Sequence, residues 1–345
     1  MADSLPLRFK GAPGSPYTRK MLAVLRYRRL PYEFLIGDQA TDLGLPEPKV
    51  ALLPTFYLPG DDGKLRAVVD STPLIRRFED EFPGRSVVPA DPVLAFLDYL
   101  LEDYADEWLT KAMFHYRWYF QADIDKAGTI LPIWRGISEP AEKLARAKQF
   151  ISERQIQRLY VVGSNDVTAP VIEDSYRRFL ALFDAVLQHQ PFLFGHRPAS
   201  ADFGVYAQLT QLAKFDPTPA AICLEEAPRV HAWTDLVDDL SGNPAADDAW
   251  MARDRAAEVL GGLLEEVGRV YVPALVANAA AMAAGEDAFE TTIDGCRWTQ
   301  PSFPYQAKCL AWIRARFQAL DGADREAVRS LLEGTGCEPL MEPGA

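Results

Sequence analysis

Ser15-Pro16-Tyr17-Thr18-Arg19-Lys20 joins a strand to a helix and places three hydroxyls within four residues. Upstream, Leu5-Pro6-Leu7-Arg8-Phe9 alternates apolar and polar residues, as a half-buried strand does. Ser15 suits an N-cap, Pro16 suits the first helical position, and Met21, Leu22, Val24 and Leu25 continue as an apolar helical stripe. A helix start presents N–H groups that attract anions and favour a thiolate, and a hydroxyl placed there can donate a hydrogen bond to the sulfur. Ser15 leads as that hydroxyl, with Tyr17 and then Thr18 as alternatives. The competing reading makes Ser15 a cap and nothing more.

Two further motifs follow in order. In Leu52-Leu53-Pro54-Thr55-Phe56-Tyr57 a proline stands immediately before a strand, where a cis peptide bond can hold the preceding backbone open to a ligand. Asp70-Ser71-Thr72-Pro73-Leu74 ends the next strand and starts another helix with polar caps and an early proline. The ordered set within the first ninety residues resembles the N-terminal thioredoxin-like domain of the glutathione transferases. The long helical patterns that follow extend the resemblance to roughly residue 250.

The resemblance implies a glutathione transferase fold: an α/β thioredoxin-like N-terminal domain plus an all-α C-terminal helical domain, here with a helical C-terminal extension. It implies glutathione as co-substrate and a small electrophile as the second substrate, with Ser15 in the place of the catalytic serine or cysteine. Glutathione's thiol, with a reference pKa of about 8.5, is mostly protonated at neutral pH, so a hydrogen bond that favours the thiolate speeds its attack on carbon. Serine cannot form a mixed disulfide, and the first cysteine of the chain is Cys223, which sets disulfide chemistry at the first helix aside. By the same resemblance Leu53 offers backbone groups to the cysteinyl part with Pro54 fixing the turn, and Asp70 and Ser71 hold the γ-glutamyl end. The family often has a lysine two residues before the proline; that place is Leu52 here, and Lys49 is the nearest substitute, ahead of Arg8 and Lys10. A homodimer is an assembly the resemblance allows. The rival reading is a non-catalytic transferase-like binding or assembly protein that kept the fold.

Composition limits the alternatives. The chain has 345 residues, 48% hydrophobic and 25% charged, enough for two domains or more. A formal net charge of −13 argues against nucleic acid or an anionic membrane as main partner. Residues 1–90 carry 13 Lys and Arg against 11 Asp and Glu, so this half is close to neutral and the acidity lies beyond it. Its basic residues Arg8, Lys10, Arg19, Lys20, Arg26, Arg28 and Arg29 could accept an anionic tripeptide. No apolar run reads as long enough to span a bilayer, and Met1-Ala2-Asp3-Ser4 does not open a signal peptide. Cys223, Cys296, Cys309 and Cys337 are too scattered for a disulfide scaffold or a metal site, which points to a reduced, cytoplasmic protein.

The pattern divides into residues 1–86, the glutathione-binding domain; 93–252, the helical substrate-side domain; and 253–345, an extension packed on the second domain. Phe114-His115-Tyr116-Arg117-Trp118-Tyr119-Phe120 is a candidate wall for the electrophile pocket, weighed against plain interhelical packing. Asp202 is expected to cap a buried helix, with Ala199 standing where the family has Ser or Thr. In the extension, Trp298, Phe303 and Tyr305 beside Pro301 and Pro304 suggest an ordered lid over the cleft.

Overall fold

The computed structural model describes residues 6–342, so Leu5 and the Met1–Ser4 start lie outside the described residues. The first unit runs β1 (Leu7–Lys10), α1 (Pro16–Arg28), β2 (Tyr32–Leu35), a single turn α2 (Gln39–Asp42), β3 (Thr55–Pro59), β4 (Leu65–Val68) and α3 (Ser71–Glu81). The sheet order is β2-β1-β3-β4, with β1 parallel to β2 and antiparallel to β3. Phe9 stacks on Phe56 at 4.6 Å between ring centroids, and Phe78 of α3 meets Phe56 edge-on. This is the expected thioredoxin-like unit.

The second unit is all helical: α4 (Pro92–Tyr104), α5 (Thr110–Tyr119), α6 (Gln121–Arg135), α7 (Ala141–Ile156), α8 (Ala169–Leu187), α9 (Ser200–Leu209), α10 (Pro217–Glu226) and α11 (Pro228–Val237). The Asp91 carboxylate accepts from the Val93 and Leu94 amides and fixes the start of α4. A π turn at Ala105–Leu109 carries α4 into α5 without a break in direction.

The extension contains α12 (Ala256–Glu266), α13 (Val272–Ala284), a hairpin of β5 (Ala288–Ile293) and β6 (Cys296–Pro301), α14 (Pro304–Ala319) and α15 (Gly322–Leu332). It is therefore not purely helical as expected. Alternation of Phe289 and Ile293 with polar neighbours, and the tight Asp294-Gly295 turn at positive φ, make the hairpin. The continuous helix Arg253–Ala284 is also long and apolar enough, by length and composition, to cross a membrane, which corrects the expectation that no apolar run reaches that length. Half of its most apolar window is buried inside the fold.

The extension covers a face that α4 cannot leave bare. Eleven of the twelve residues from Val93 to Tyr104 are buried, all but Ala95, so both sides of the helix need a partner. One side packs on α9 and the other on the extension, where Phe317 meets Phe96 edge-on, Arg316 lies over the Tyr99 ring at 4.0 Å, and Tyr271 packs against Tyr104. Trp298 is fully buried against Trp108 at 5.5 Å, and its indole fills the space where Gly163, at φ 72°, has no side chain.

The two units are tied together by buried charge. The Lys20 ammonium of α1 donates to Glu102 Oε1 at 2.6 Å and Asp106 Oδ2 at 2.5 Å, both from the α4 rod, with no part of the lysine exposed. Arg76 of α3 donates to the other Glu102 oxygen at 2.7 Å and to Ser200 Oγ at 3.0 Å. Burial alone would push Glu102 up, but Lys20 and Arg76 outweigh it and hold the carboxyl well below its usual range. Asp98 is paired with Arg76 at the longer distance of 3.7 Å, and burial outweighs that cation and pushes the carboxyl up to about 7. Ser200 Oγ lies within hydrogen-bond distance of Asp98 Oδ2, at 2.6 Å, and of Glu102 Oε2, at 2.8 Å, and the Ala201 amide donates to Asp98 Oδ1 at 2.8 Å.

Two stability outcomes follow from this packing. Lys20→Met leaves two buried carboxylates facing each other and is expected to lose on the order of 3–5 kcal/mol in urea unfolding; an unchanged midpoint would refute the role of the ammonium. Trp298→Ala should cost about 3–5 kcal/mol through the cavity it opens beside Trp108, read by the same titration. A midpoint close to wild type would mean that the hairpin is not part of the cooperative core.

Candidate functional site

Ser15 ends the β1–α1 turn as the N-cap. Its Oγ accepts from the Thr18 amide at 3.2 Å and donates to the Leu53 carbonyl oxygen at 3.3 Å. The hydroxyl thus sits between a helix-start amide that feeds it and a carbonyl on the opposite wall. Leu53–Pro54 is a cis peptide bond, as the sequence suggested. Continuing the β3–β4 register past Phe56↔Val68 sets Pro54 beside Asp70 at the same edge of the sheet.

The alternatives to Ser15 are engaged elsewhere. Tyr17 is turned into the domain interface, where its hydroxyl donates to the Asp106 carbonyl at 2.7 Å and burial drives its pKa up. Thr18 is buried, and its Oγ1 accepts from the Ala12 amide at 3.3 Å. Neither residue is among those that line the space Ser15 faces.

That space is a cavity of about 240 Å³ between the units. Ser15 and Leu53 form one side, and Phe114 and Trp118 of α5, Leu131 and Trp134 of α6 form much of the other. The aromatic run therefore does two jobs. Phe114, Arg117 and Trp118 face the cavity, one helical turn apart, whereas His115 and Tyr116 point into the core. His115 stacks on Tyr119, and burial lowers its pKa to about 4, so the ring is neutral. The Arg117 guanidinium is fixed by both oxygens of Asp216 and donates to the Gly14 carbonyl at 3.1 Å, tying α5 to the β1–α1 turn. No residue of the extension lines this cavity among the described residues, and Trp298 of the segment expected as a lid is deep in the core.

The remaining expected contacts divide. Asp70 is half-buried at the start of α3, with φ 84° and ψ 109°, a left-handed conformation that aspartate rarely adopts. Its neighbour Ser71 is buried, and Ser71 Oγ accepts from Lys20 at 3.4 Å; its hydroxyl turns inward rather than toward the groove. Lys49 is exposed on the segment before Leu53 and makes no ion pair among the described residues. The basic residues proposed for an anionic tripeptide mostly hold the fold: Arg8 pairs with Glu33, Arg26 with Asp238, Arg28 donates to the Phe82 carbonyl and Arg29 to the Ser241 carbonyl. Asp202 caps as expected, accepting from Ala199 and Leu193 amides at 2.8 Å each. Ala199 supplies no reciprocal acceptor, and Ser200 serves Glu102 and Asp98 instead.

One contact comes from the segment expected as a lid. Tyr305, on the first turn of α14, donates to Asp70 Oδ2 at 2.9 Å across 235 residues of chain. The extension thus reaches the first unit at a residue expected to bind ligand.

Comparison with known families matches residues 10–86 to the glutathione S-transferase N-terminal domain and residues 149–236 to the glutathione S-transferase C-terminal domain. No curated protein matches the chain. Among solved structures, it is similar to a glutathione transferase family member from Pseudomonas fluorescens with two glutathione bound, at 14% identity over 71% of this chain and 93% of that one, with a TM-score of 0.44. A glutathione S-transferase from Methylobacterium radiotolerans in complex with glutathione sulfonate gives 19% identity, 70% and 93% coverage and a TM-score of 0.40. The beta-etherase LigF from Sphingobium sp. gives 18%, 71%, 98% and 0.41. Both family domains fall in order on the sheet unit and the helical unit that face each other across the Ser15 cavity, and the chain belongs to the glutathione transferase superfamily.

Proposed function

We propose that this chain is a glutathione transferase-like enzyme of the serine type, in which the Ser15 hydroxyl stabilises the glutathione thiolate for attack on a small electrophile. The observation that carries the reading is the position of Ser15 Oγ, in the wall of the interdomain cavity and held between the Thr18 amide and the Leu53 carbonyl. A sulfur entering there takes over the hydroxyl proton that Leu53 now accepts, while the Thr18 amide keeps polarising the oxygen. Leu53 is then free to pair with the backbone of the cysteinyl residue. Glutathione's γ-glutamyl ammonium is received by Asp70, which has no cation paired to it among the described residues.

The thiolate attacks the electrophilic carbon, a C–S bond forms, and the leaving group departs with the bonding pair; on an unsaturated carbonyl the pair moves onto the carbonyl oxygen instead. The faces of Phe114, Trp118 and Trp134 favour a flat, apolar-bodied electrophile of a size that fits about 240 Å³. Arg117 is already neutralised by Asp216 and so frames the cavity without adding a free charge.

Ser15→Ala tests the role of the hydroxyl. Loss of one hydrogen bond to a charged group, about 1.5–3 kcal/mol, should lower turnover roughly 10- to 100-fold with glutathione affinity little changed, and should raise the pKa of bound glutathione in a thiolate absorbance titration. Unchanged turnover in Ser15→Ala would sink the assignment. Saturable glutathione binding without turnover on aryl halides, unsaturated carbonyls or peroxides would favour the non-catalytic reading.

A further inference from the structure

Tyr305 is set in place by more than its own helix. Asn278 of α13, fully buried, donates to the Phe303 carbonyl at 3.0 Å and accepts from the Phe303 amide at 2.7 Å. This clamp fixes the chain just before α14, and Pro304 at the first helical position leaves Tyr305 little choice of direction. The ring meets Trp312, two turns along the same helix, edge-on at 6.1 Å. Tyr305 as a whole residue is nonetheless 41% exposed, so packing into the core does not explain its placement. What it reaches is Asp70, a carboxylate on a strained backbone beside Pro54. The nearby Lys20 ammonium is committed to Glu102, Asp106, Ser71 and Thr72 and gives Asp70 no hydrogen bond among those described.

We infer that Tyr305 is a positioning residue of the glutathione site, supplied by the C-terminal extension of the same chain: its hydroxyl holds the Asp70 carboxylate in the orientation that receives the γ-glutamyl ammonium. A carboxylate has several lone-pair directions, so one oxygen can keep the phenol while the group still accepts from an ammonium. The extension would then set the selectivity of the site for the amino end of the tripeptide, while Ser15 and the aromatic cavity act on the sulfur and the electrophile. This inference rests on the glutathione reading given above.

The test uses the full-length protein and two ligands, glutathione and glutaryl-cysteinylglycine, which lacks only the γ-glutamyl amino group. Calorimetric Kd values are compared for wild type, Tyr305→Phe, Asp70→Asn and the double variant. Wild type should prefer glutathione; Tyr305→Phe should weaken glutathione by about tenfold, one hydrogen bond to a charged group, and leave the analogue within about twofold. Asp70→Asn should abolish the preference, and adding Tyr305→Phe to it should cost nothing more. Equal weakening of both ligands in Tyr305→Phe would mean a merely structural role and overturn the inference, as would an unchanged glutathione Kd. Tighter binding of both ligands would make the phenol a plug and also overturn it. If neither ligand binds the wild type, the glutathione reading fails and takes the inference with it, an outcome distinct from binding that ignores Tyr305.

Discussion

The Lys20 ammonium has no surface in contact with solvent, and much of the architecture keeps it charged. Taking an ammonium out of water costs several kcal/mol after relaxation, so the group persists only because Glu102 and Asp106 lie within hydrogen-bond reach. Those carboxylates have the same problem and the same answer. Glu102 is shared with Arg76 and Ser200, and Ser200 in turn bonds Asp98. The chain of contacts runs from α1 through α3 and α4 to α9 without leaving the interior. It fixes the relative position of the sheet unit and the helical unit, and the cavity beside Ser15 is the space left between them. A site made at such a junction is only as well defined as the junction. Replacing this network by apolar residues could keep the stability, but it would remove the directional bonds that set one angle between the units.

The extension answers a separate requirement. Helix α4 carries Leu94, Leu97 and Leu101 toward one side and Phe96, Tyr99 and Leu100 toward others, so a second layer must cover it. Phe317, Tyr271 and Arg316 provide that layer, and Trp298 closes it beyond the π turn by packing on Trp108. The hairpin and α14 are therefore part of the core rather than an appendage. The acidic residues of α4 that face the extension are absorbed in the same way: Asp103 accepts from the Tyr271 hydroxyl, and burial pushes its carboxyl up to about 7.

Local signals made the first unit readable. Strand alternation before Ser15, the cap and the early proline depend on neighbours a few residues apart, and Pro54 and Asp70 announce themselves by their places relative to the strands. The helical unit was legible as helices because apolar residues recur at the right spacing over long segments. What escaped was pairing at a distance. Lys20 reads as one of several basic residues open to an anionic tripeptide because nothing in its own helix shows that Glu102 and Asp106 will bury it. Tyr17 and Thr18 lay as close to the helix start as Ser15, and only the three-dimensional course of α5 and of the Ala12 turn separates their directions. The length of the apolar helix at 253–284 is hidden by the charges that interrupt it, Glu258, Glu265, Glu266 and Arg269. A usable clue to the extension's role did exist: α4 has more apolar faces than a single neighbouring helix can cover.

The arrangement also separates what is rigid from what must respond. Around Ser15, Arg117 holds the Gly14 carbonyl on the cavity side, and the guanidinium is itself held by both Asp216 oxygens and by Gln211. The β1–α1 turn is thereby anchored from the helical unit, and displacing the N-cap serine's neighbour Gly14 breaks its hydrogen bond to a guanidinium that Asp216 holds in place. The proton on Ser15 Oγ, by contrast, has a weak resting partner at 3.3 Å. A long hydrogen bond to a neutral carbonyl is easily exchanged for a shorter one to an anion, because charge-assisted bonds are about twice as strong. The heavy atoms are thus pre-positioned while the single hydrogen remains free to turn, so on the proposed reading the heavy-atom frame need not reorganise to receive a thiolate.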